Sequence, residues 1–89
     1  MSLAREVLDR KIRQLFSEIY SSQHEGKAAP NLGDDTVLLE TGLDSLGFAI
    51  LVTRLEEDLN YDPFSLAQEA YYPSSYQQFL DFYFTNQPQ

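Results

Sequence analysis

Apolar residues recur every three or four positions along several stretches of the chain, and this spacing predicts amphipathic helices. The first predicted helix covers residues 3–20, with Ser2 as its N-cap. The second begins at Asp44 or Ser45, and the side chain of Asp44 is the predicted cap. It ends near Asn60, a residue that tolerates the left-handed backbone conformation common after a helix.

Two further helices are predicted after Pro63, which prevents the second helix from continuing. Residues 64–70 form a short third helix in this interpretation. A fourth follows, capped by Ser74 or Ser75 with a glutamine three residues on, as in a capping box. Its apolar positions are mostly aromatic, and the spacing favours the core over a binding surface for them: Tyr76, Phe79, Leu80 and Tyr83.

The helical pattern lapses between residues 21 and 43, where Gly26, Pro30 and Gly33 interrupt it. A connection of this length is uncommon in a small domain and is often functional. We expect a short helical turn to anchor its second half on the core through four apolar residues: Val37, Leu38, Leu39 and Leu43.

No stretch alternates at period two for long enough to predict a sheet. The predicted fold is therefore all-α, a small antiparallel four-helix bundle with a long first loop and a short third helix. At 89 residues, we expect a single domain, 1–89.

The second helix carries more apolar residues than one core stripe needs. At about 100° per residue, five of them fall within one face of ordinary width: Phe48, Leu51, Val52, Leu55 and Leu59. Leu46 and Ile50 lie nearly opposite, one turn apart, with Thr53 and Glu57 on their side and Glu56 at the rim. Scattered exposed residues, or a loop folded over Leu46, would explain them; a docking surface for a partner would also explain them.

The amino-acid composition limits the kinds of functional site and partner that the chain can have. The chain has no cysteine and one histidine, His24, so no thiol nucleophile, thiolate metal site or histidine cluster is expected. A net charge of −8 argues against nucleic-acid binding, and favours a monomer with basic partner surfaces. No apolar run is long enough for a membrane span. The N-terminal residues lack a signal-peptide core, so the expected location is cytoplasmic.

Ser45 stands at the start of the second helix, where backbone N–H groups and the helix dipole favour a phosphate. Taken alone, a serine there is more often a cap. No lysine or second histidine accompanies it, so no catalytic nucleophile is predicted. The acidic runs at residues 34–35 and 56–58 are interpreted as a solvated loop and a solvated helix face, so an enzyme is not expected.

At these residues the chain resembles the acyl carrier protein family, which includes the peptidyl carrier domains. The resemblance covers nearly the whole four-helix layout, and its most specific part lies in the second helix. The matching positions are Gly42-Leu43-Asp44-Ser45-Leu46, Leu51, Val52, Leu55-Glu56-Glu57 and Asn60.

The resemblance implies that Ser45, flanked by Asp44 and Leu46, receives 4′-phosphopantetheine from coenzyme A. A phosphopantetheinyl transferase with Mg²⁺ would deliver this group, whose thiol would carry acyl or aminoacyl thioesters. The resemblance also implies a recognition role for the second helix towards loading and transferring enzymes. We expect its contacts with basic or apolar docking surfaces to come from five residues: Leu46, Ile50, Thr53, Glu56 and Glu57.

Two positions depart from the common fatty-acid carriers, which often place acidic residues two and five after the serine. This chain has Gly47 and Ile50 there. The departure favours a stand-alone carrier in a specialised pathway, such as polyketide or nonribosomal peptide synthesis. Two alternatives stay open: a housekeeping fatty-acid carrier, and a non-carrier adaptor that binds through Leu46 and Ile50 with Ser45 only a cap.

Overall fold

Four α-helices and one 3₁₀ turn form the part of the chain that the computed structural model describes, residues 3–66 and 73–87. Within these residues the only strand-like pairing is a single bridge between Val37 and Ser75. The all-α prediction is confirmed, while the antiparallel arrangement stays a prediction. The elements in chain order are α1 Arg5–Gln23, the 3₁₀ turn Leu38–Glu40, α2 Ser45–Leu59, α3 Pro63–Leu66 and α4 Tyr76–Thr85.

Helix α1 begins two residues later than predicted and ends three residues later. Leu3 is held outside the helix because its backbone N–H and carbonyl both hydrogen-bond to the side chain of Gln87. Ala4 is the N-cap and provides no side-chain bond; Ser2, the predicted cap, lies outside the described residues. The face that α1 buries consists of five apolar residues: Leu8, Ile12, Leu15, Phe16 and Ile19.

The long connection is anchored by fewer residues than predicted. Leu38 and Leu43 are fully buried and a short helical turn is present, but Leu39 is 56% exposed, so its assignment to the core was wrong. Successive side chains of a 3₁₀ turn point about 120° apart, so an inward Leu38 directs Leu39 to solvent. Leu32 is buried and provides an anchor that the sequence pattern did not single out.

Helix α2 turns its predicted stripe inward. Leu51 and Leu55 have no exposed surface, and Phe48, Val52 and Leu59 pack against the core while partly exposed. The helix ends at Asn60, which adopts the predicted left-handed conformation at φ 65°. Pro63 then starts α3, because its fixed φ and missing N–H suit the first position of a helix. Of the predicted third helix, residues 67–70 lie outside the described part.

Helix α4 is capped as predicted. The Ser75 hydroxyl accepts from the N–H of Gln78, and the Gln78 side chain accepts from the N–H of Ser75, which completes a capping box. The aromatic residues Tyr76, Phe79 and Tyr83 are buried, so their prediction as core is confirmed. Helix α1 packs against both α2 and α4, and its C-terminal turn reaches the residues that lead into α2.

Candidate functional site

Ser45 is the first residue of α2, and its side chain is exposed. Asp44 takes the N-cap position, where its Oδ1 accepts a 2.8 Å hydrogen bond from the N–H of Gly47. The hydroxyl of Ser45 makes no hydrogen bond within residues 3–66 and 73–87. Ser45 is therefore not the cap of this helix.

The backbone just before the Asp44 cap is constrained by its conformation, by a hydrogen bond and by burial. Gly42 has a φ of +106°, a conformation open to glycine at little cost, and its carbonyl lies 3.0 Å from the Nε2 atom of His24. Leu43 is fully buried. The sequence pattern does not indicate a part for His24 in the site, because 18 residues separate it from Gly42 and no local pattern joins them.

The predicted partner surface is exposed. Leu46 is 64% exposed and Ile50 is 36% exposed, which confirms that this pair points away from the core. Thr53, Glu56 and Glu57 are exposed as well. The Thr53 hydroxyl donates to the carbonyl of Ala49 one turn earlier. The five predicted recognition residues thus follow Ser45 along the solvent side of one helix, and their role in recognition stays a prediction.

Negative charge is concentrated at the C-terminal end of α2, which has no basic residue in its last turn. Neighbouring charges are paired across helices, Asp58 with Lys11 at 3.4 Å and Arg54 with Glu18 at 3.6 Å. Glu56 and Glu57 have no such partner in the described part of the chain. Because a helix C-terminus is itself negative, these two carboxylates are placed where they destabilise the helix.

No other arrangement in the described residues suggests reactive chemistry. No group of three or more histidine, cysteine, aspartate or glutamate side chains there is placed to hold a metal ion. A search of the same residues finds no helix with the length and apolar character needed to cross a membrane.

Comparison with known families shows which family the chain belongs to. A family model described as "Phosphopantetheine attachment site" matches residues 10–66, which is more than half of the chain. The chain belongs to this family. It is a carrier protein of the acyl and peptidyl carrier type, it bears 4′-phosphopantetheine covalently, and it is not an enzyme. Comparisons with curated proteins and with solved structures gave no match.

The carrier protein works with a phosphopantetheinyl transferase and with biosynthetic enzymes, as its family does. The matched range contains the whole of α2, the connection before it and most of α1. It therefore includes Ser45 and both residues that flank it. Helix α4 and its aromatic residues lie beyond the matched range.

Proposed function

We propose that Ser45 bears the 4′-phosphopantetheine group and that the protein carries acyl or aminoacyl thioesters in a specialised biosynthetic pathway. One observation supports the attachment site above the others. Asp44 supplies the helix cap, so the exposed hydroxyl of Ser45 is left without a structural role. This argues against an adaptor in which Ser45 serves only as a cap.

The other serines in the matched range are less suited to the group. The range contains five, and Ser21 and Ser65 use their hydroxyls in hydrogen bonds to Lys27 and Asp62. Ser17 and Ser22 lie within the last two turns of α1, away from a helix start. Ser45 alone among the five combines an exposed, unbonded hydroxyl with the first position of a long helix.

The start of α2 also suits a phosphodiester. The N–H groups of Gly47 and Phe48 donate to Asp44. The N–H groups of Ser45 and Leu46 come earlier in the helix. They have no backbone partner within α2, because the first N–H groups of a helix lack a preceding turn. They and the positive end of the helix dipole favour a negative group on the serine oxygen.

Loading would exchange one phosphorus–oxygen bond for another. The Ser45 oxygen bonds to the coenzyme A phosphorus that carries pantetheine, and the bond from that phosphorus to the bridging pyrophosphate oxygen breaks. Adenosine 3′,5′-bisphosphate leaves with the bridging oxygen, and a base of the transferase takes the serine proton. Once attached, the group supplies a terminal thiol for thioester formation, which the protein lacks because it has no cysteine.

Partner enzymes would dock along the solvent side of α2. Leu46 and Ile50 would provide an apolar contact. The negative charges of Glu56 and Glu57 would attract basic residues at the rim of the partner's docking surface. The unpaired carboxylates destabilise the helix, and a role in partner binding would account for their position. The absence of acidic side chains at Gly47 and Ile50 supports a specialised pathway over fatty-acid synthesis.

The attachment site is tested by incubating the purified protein with coenzyme A, Mg²⁺ and a promiscuous phosphopantetheinyl transferase, then measuring its intact mass. We expect a gain of one phosphopantetheinyl group in the wild-type protein and in Ser17→Ala, which removes another exposed helical serine. We expect no gain in Ser45→Ala. Modification of Ser45→Ala, or none in the wild-type protein, would disprove the proposal.

The pathway is tested separately with the loaded protein. Malonyl transfer from a fatty-acid-synthesis acyltransferase should be poor, and Ile50→Asp should improve it by restoring the acidic position. Efficient malonyl loading of the wild-type carrier would instead favour the housekeeping role.

A further inference from the structure

The six residues from Gly42 to Gly47 have a glycine at each end, and the last turn of α1 meets both glycines. Tyr20 and His24 face Gly42, and Gln23 faces Gly47. Ser45 lies between the two contacts. The turn that presents the serine is thus held from outside by a different helix as well as by its own cap.

At Gly42 a side chain would be tightly packed, and the φ of +106° would strain its backbone. A Cβ there would lie 3.2 Å from Cε2 of Tyr20 and 3.6 Å from Cε1 of His24. The rings of Tyr20 and His24 are stacked, with centroids 4.0 Å apart and planes inclined by 23°. Stacking fixes the plane of the imidazole, so that its Nε2 lies 3.0 Å from the Gly42 carbonyl oxygen.

At Gly47 the contact is closer. A Cβ there would lie 2.7 Å from Oε1 of Gln23 and 2.6 Å from Cδ1 of Leu43. The glycine therefore lets the first turn of α2 approach the end of α1. Together, the two contacts restrain the backbone on both sides of Ser45.

We infer that His24 is a positioning residue for the modification of Ser45, an inference that rests on the proposed attachment site. A carbonyl oxygen only accepts, so Nε2 must donate, and the hydrogen bond holds the carbonyl three residues before the serine. A reacting group must be held in position for group transfer, and displacement by about 1 Å can cost up to about 100-fold in rate. Loss of this hydrogen bond would let the Gly42 backbone move, while the docking residues on α2 would stay in position for the transferase.

Two substitutions separate the hydrogen bond from the stacked ring. His24→Phe keeps an aromatic ring for Tyr20 and removes the donor. His24→Gln removes the ring and keeps an N–H at a similar reach. Residue 24 has a φ of −119°, which both replacements adopt without strain.

The experiment measures the transferase kinetics of all three proteins and the ¹³C shift of the Gly42 carbonyl in the unloaded proteins. We expect kcat to fall about tenfold in His24→Phe with KM nearly unchanged, together with a shift of the Gly42 carbonyl signal. His24→Gln should recover most of the rate and of the shift. Circular dichroism at the assay temperature verifies that each variant is folded.

The outcomes distinguish this inference from the attachment site itself. Equal kcat in the wild-type protein and His24→Phe would overturn the positioning role and leave Ser45 as the attachment site. A loss confined to His24→Gln would assign the effect to the stacked ring and also overturn it. Equal losses in both variants would show that an N–H at this reach does not replace the imidazole, and would likewise overturn the role of the hydrogen bond. If His24→Phe unfolds, His24→Leu, which also lacks the donor, takes its place. A slowed rate in His24→Leu that His24→Gln recovers supports the inference, and an unchanged rate in His24→Leu overturns it. No loading of the wild-type protein would overturn both proposals.

Discussion

The hydroxyl of Tyr76 donates a hydrogen bond to Oδ1 of the Asp9 carboxylate at an O–O distance of 2.5 Å, although the two residues are 67 positions apart in the sequence. Arg13 adds a second bond to the same carboxylate at 2.8 Å, and its guanidinium lies 4.7 Å from the centre of the Tyr76 ring. Burial opposes ionisation of Asp9, but these bonds and the charges of Arg13 and Arg5 outweigh it. The pKa of Asp9 is consequently held below its usual value.

The first prediction concerns the pH dependence of this contact. A carboxylate with a lowered folded-state pKa stabilises the fold above its unfolded pKa, and this contribution is lost as the pH falls through the folded pKa. We expect Tyr76→Phe to lower the free energy of unfolding by about 1.5 kcal/mol at pH 6. This value is at the low end of the range for a hydrogen bond to a charged acceptor, because the Asp9 side chain is 32% exposed. The cost should shrink below about pH 4, measured by urea unfolding at each pH.

Tyr61→Phe is the matched control. The Tyr61 hydroxyl donates to the backbone carbonyl of Tyr83, and burial raises the pKa of Tyr61 to about 12. Neither partner titrates in acid, so the free energy lost in this variant should stay constant between pH 3 and pH 6. A cost of Tyr76→Phe that is equally constant would contradict the role assigned to the Asp9 carboxylate.

The second prediction separates the two faces of α2. Leu55 has no exposed surface, so Leu55→Ala should destabilise the protein by about 2–5 kcal/mol. Ile50 is 36% exposed, so Ile50→Glu should cost less than about 0.5 kcal/mol. Ile50→Glu should instead raise the KM of the carrier for the transferase. Chemical unfolding and loading kinetics measure both effects, and reversed stability costs would show that the faces are assigned wrongly.

The third prediction separates the cap of α2 from its charge. Asp44→Ala removes the acceptor of the Gly47 N–H and should destabilise the protein by about 0.5–2 kcal/mol. Asp44→Asn keeps an equivalent oxygen and should leave both the stability and the rate of loading close to those of the wild-type protein. A large loss of loading in Asp44→Asn, without a loss of stability, would show that the carboxylate charge itself takes part.

The fourth prediction concerns the space at Gly47. Gly47→Ala places a methyl group against Leu43 and Gln23. Overpacking of this kind costs about 1–3 kcal/mol, which offsets or exceeds the roughly 1 kcal/mol that alanine gains as a helix former. We therefore expect a net loss of stability in thermal or urea unfolding. In the control Gly33→Ala, the nearest neighbour of a Cβ is the Thr36 hydroxyl at 3.5 Å, and we expect almost no change. A stabilised Gly47→Ala would show that the ends of the Leu43 and Gln23 side chains move aside at little cost.

Local sequence signals set the limits of α2 and the division of its faces. Asp44, Asn60 and Pro63 act on their own neighbours through a cap, a left-handed residue and a missing N–H, so their effects follow from the sequence. The helical repeat likewise assigns Leu51 inward and Leu46 outward without knowledge of the rest of the fold. The proposed attachment residue was identified from this local pattern and its family resemblance.

Contacts between distant segments were decided by the tertiary structure. Leu3 leaves the predicted helix because Gln87 binds its backbone, and Leu39 faces solvent because Leu38 takes the inward position. The bond from His24 to Gly42 depends on how α1 packs beside α2, which no spacing within either segment encodes. The sequence determined by itself where a serine would stand at a helix start, because capping and periodicity are local. Tertiary packing decided which side chains restrain that serine, because they come from another helix.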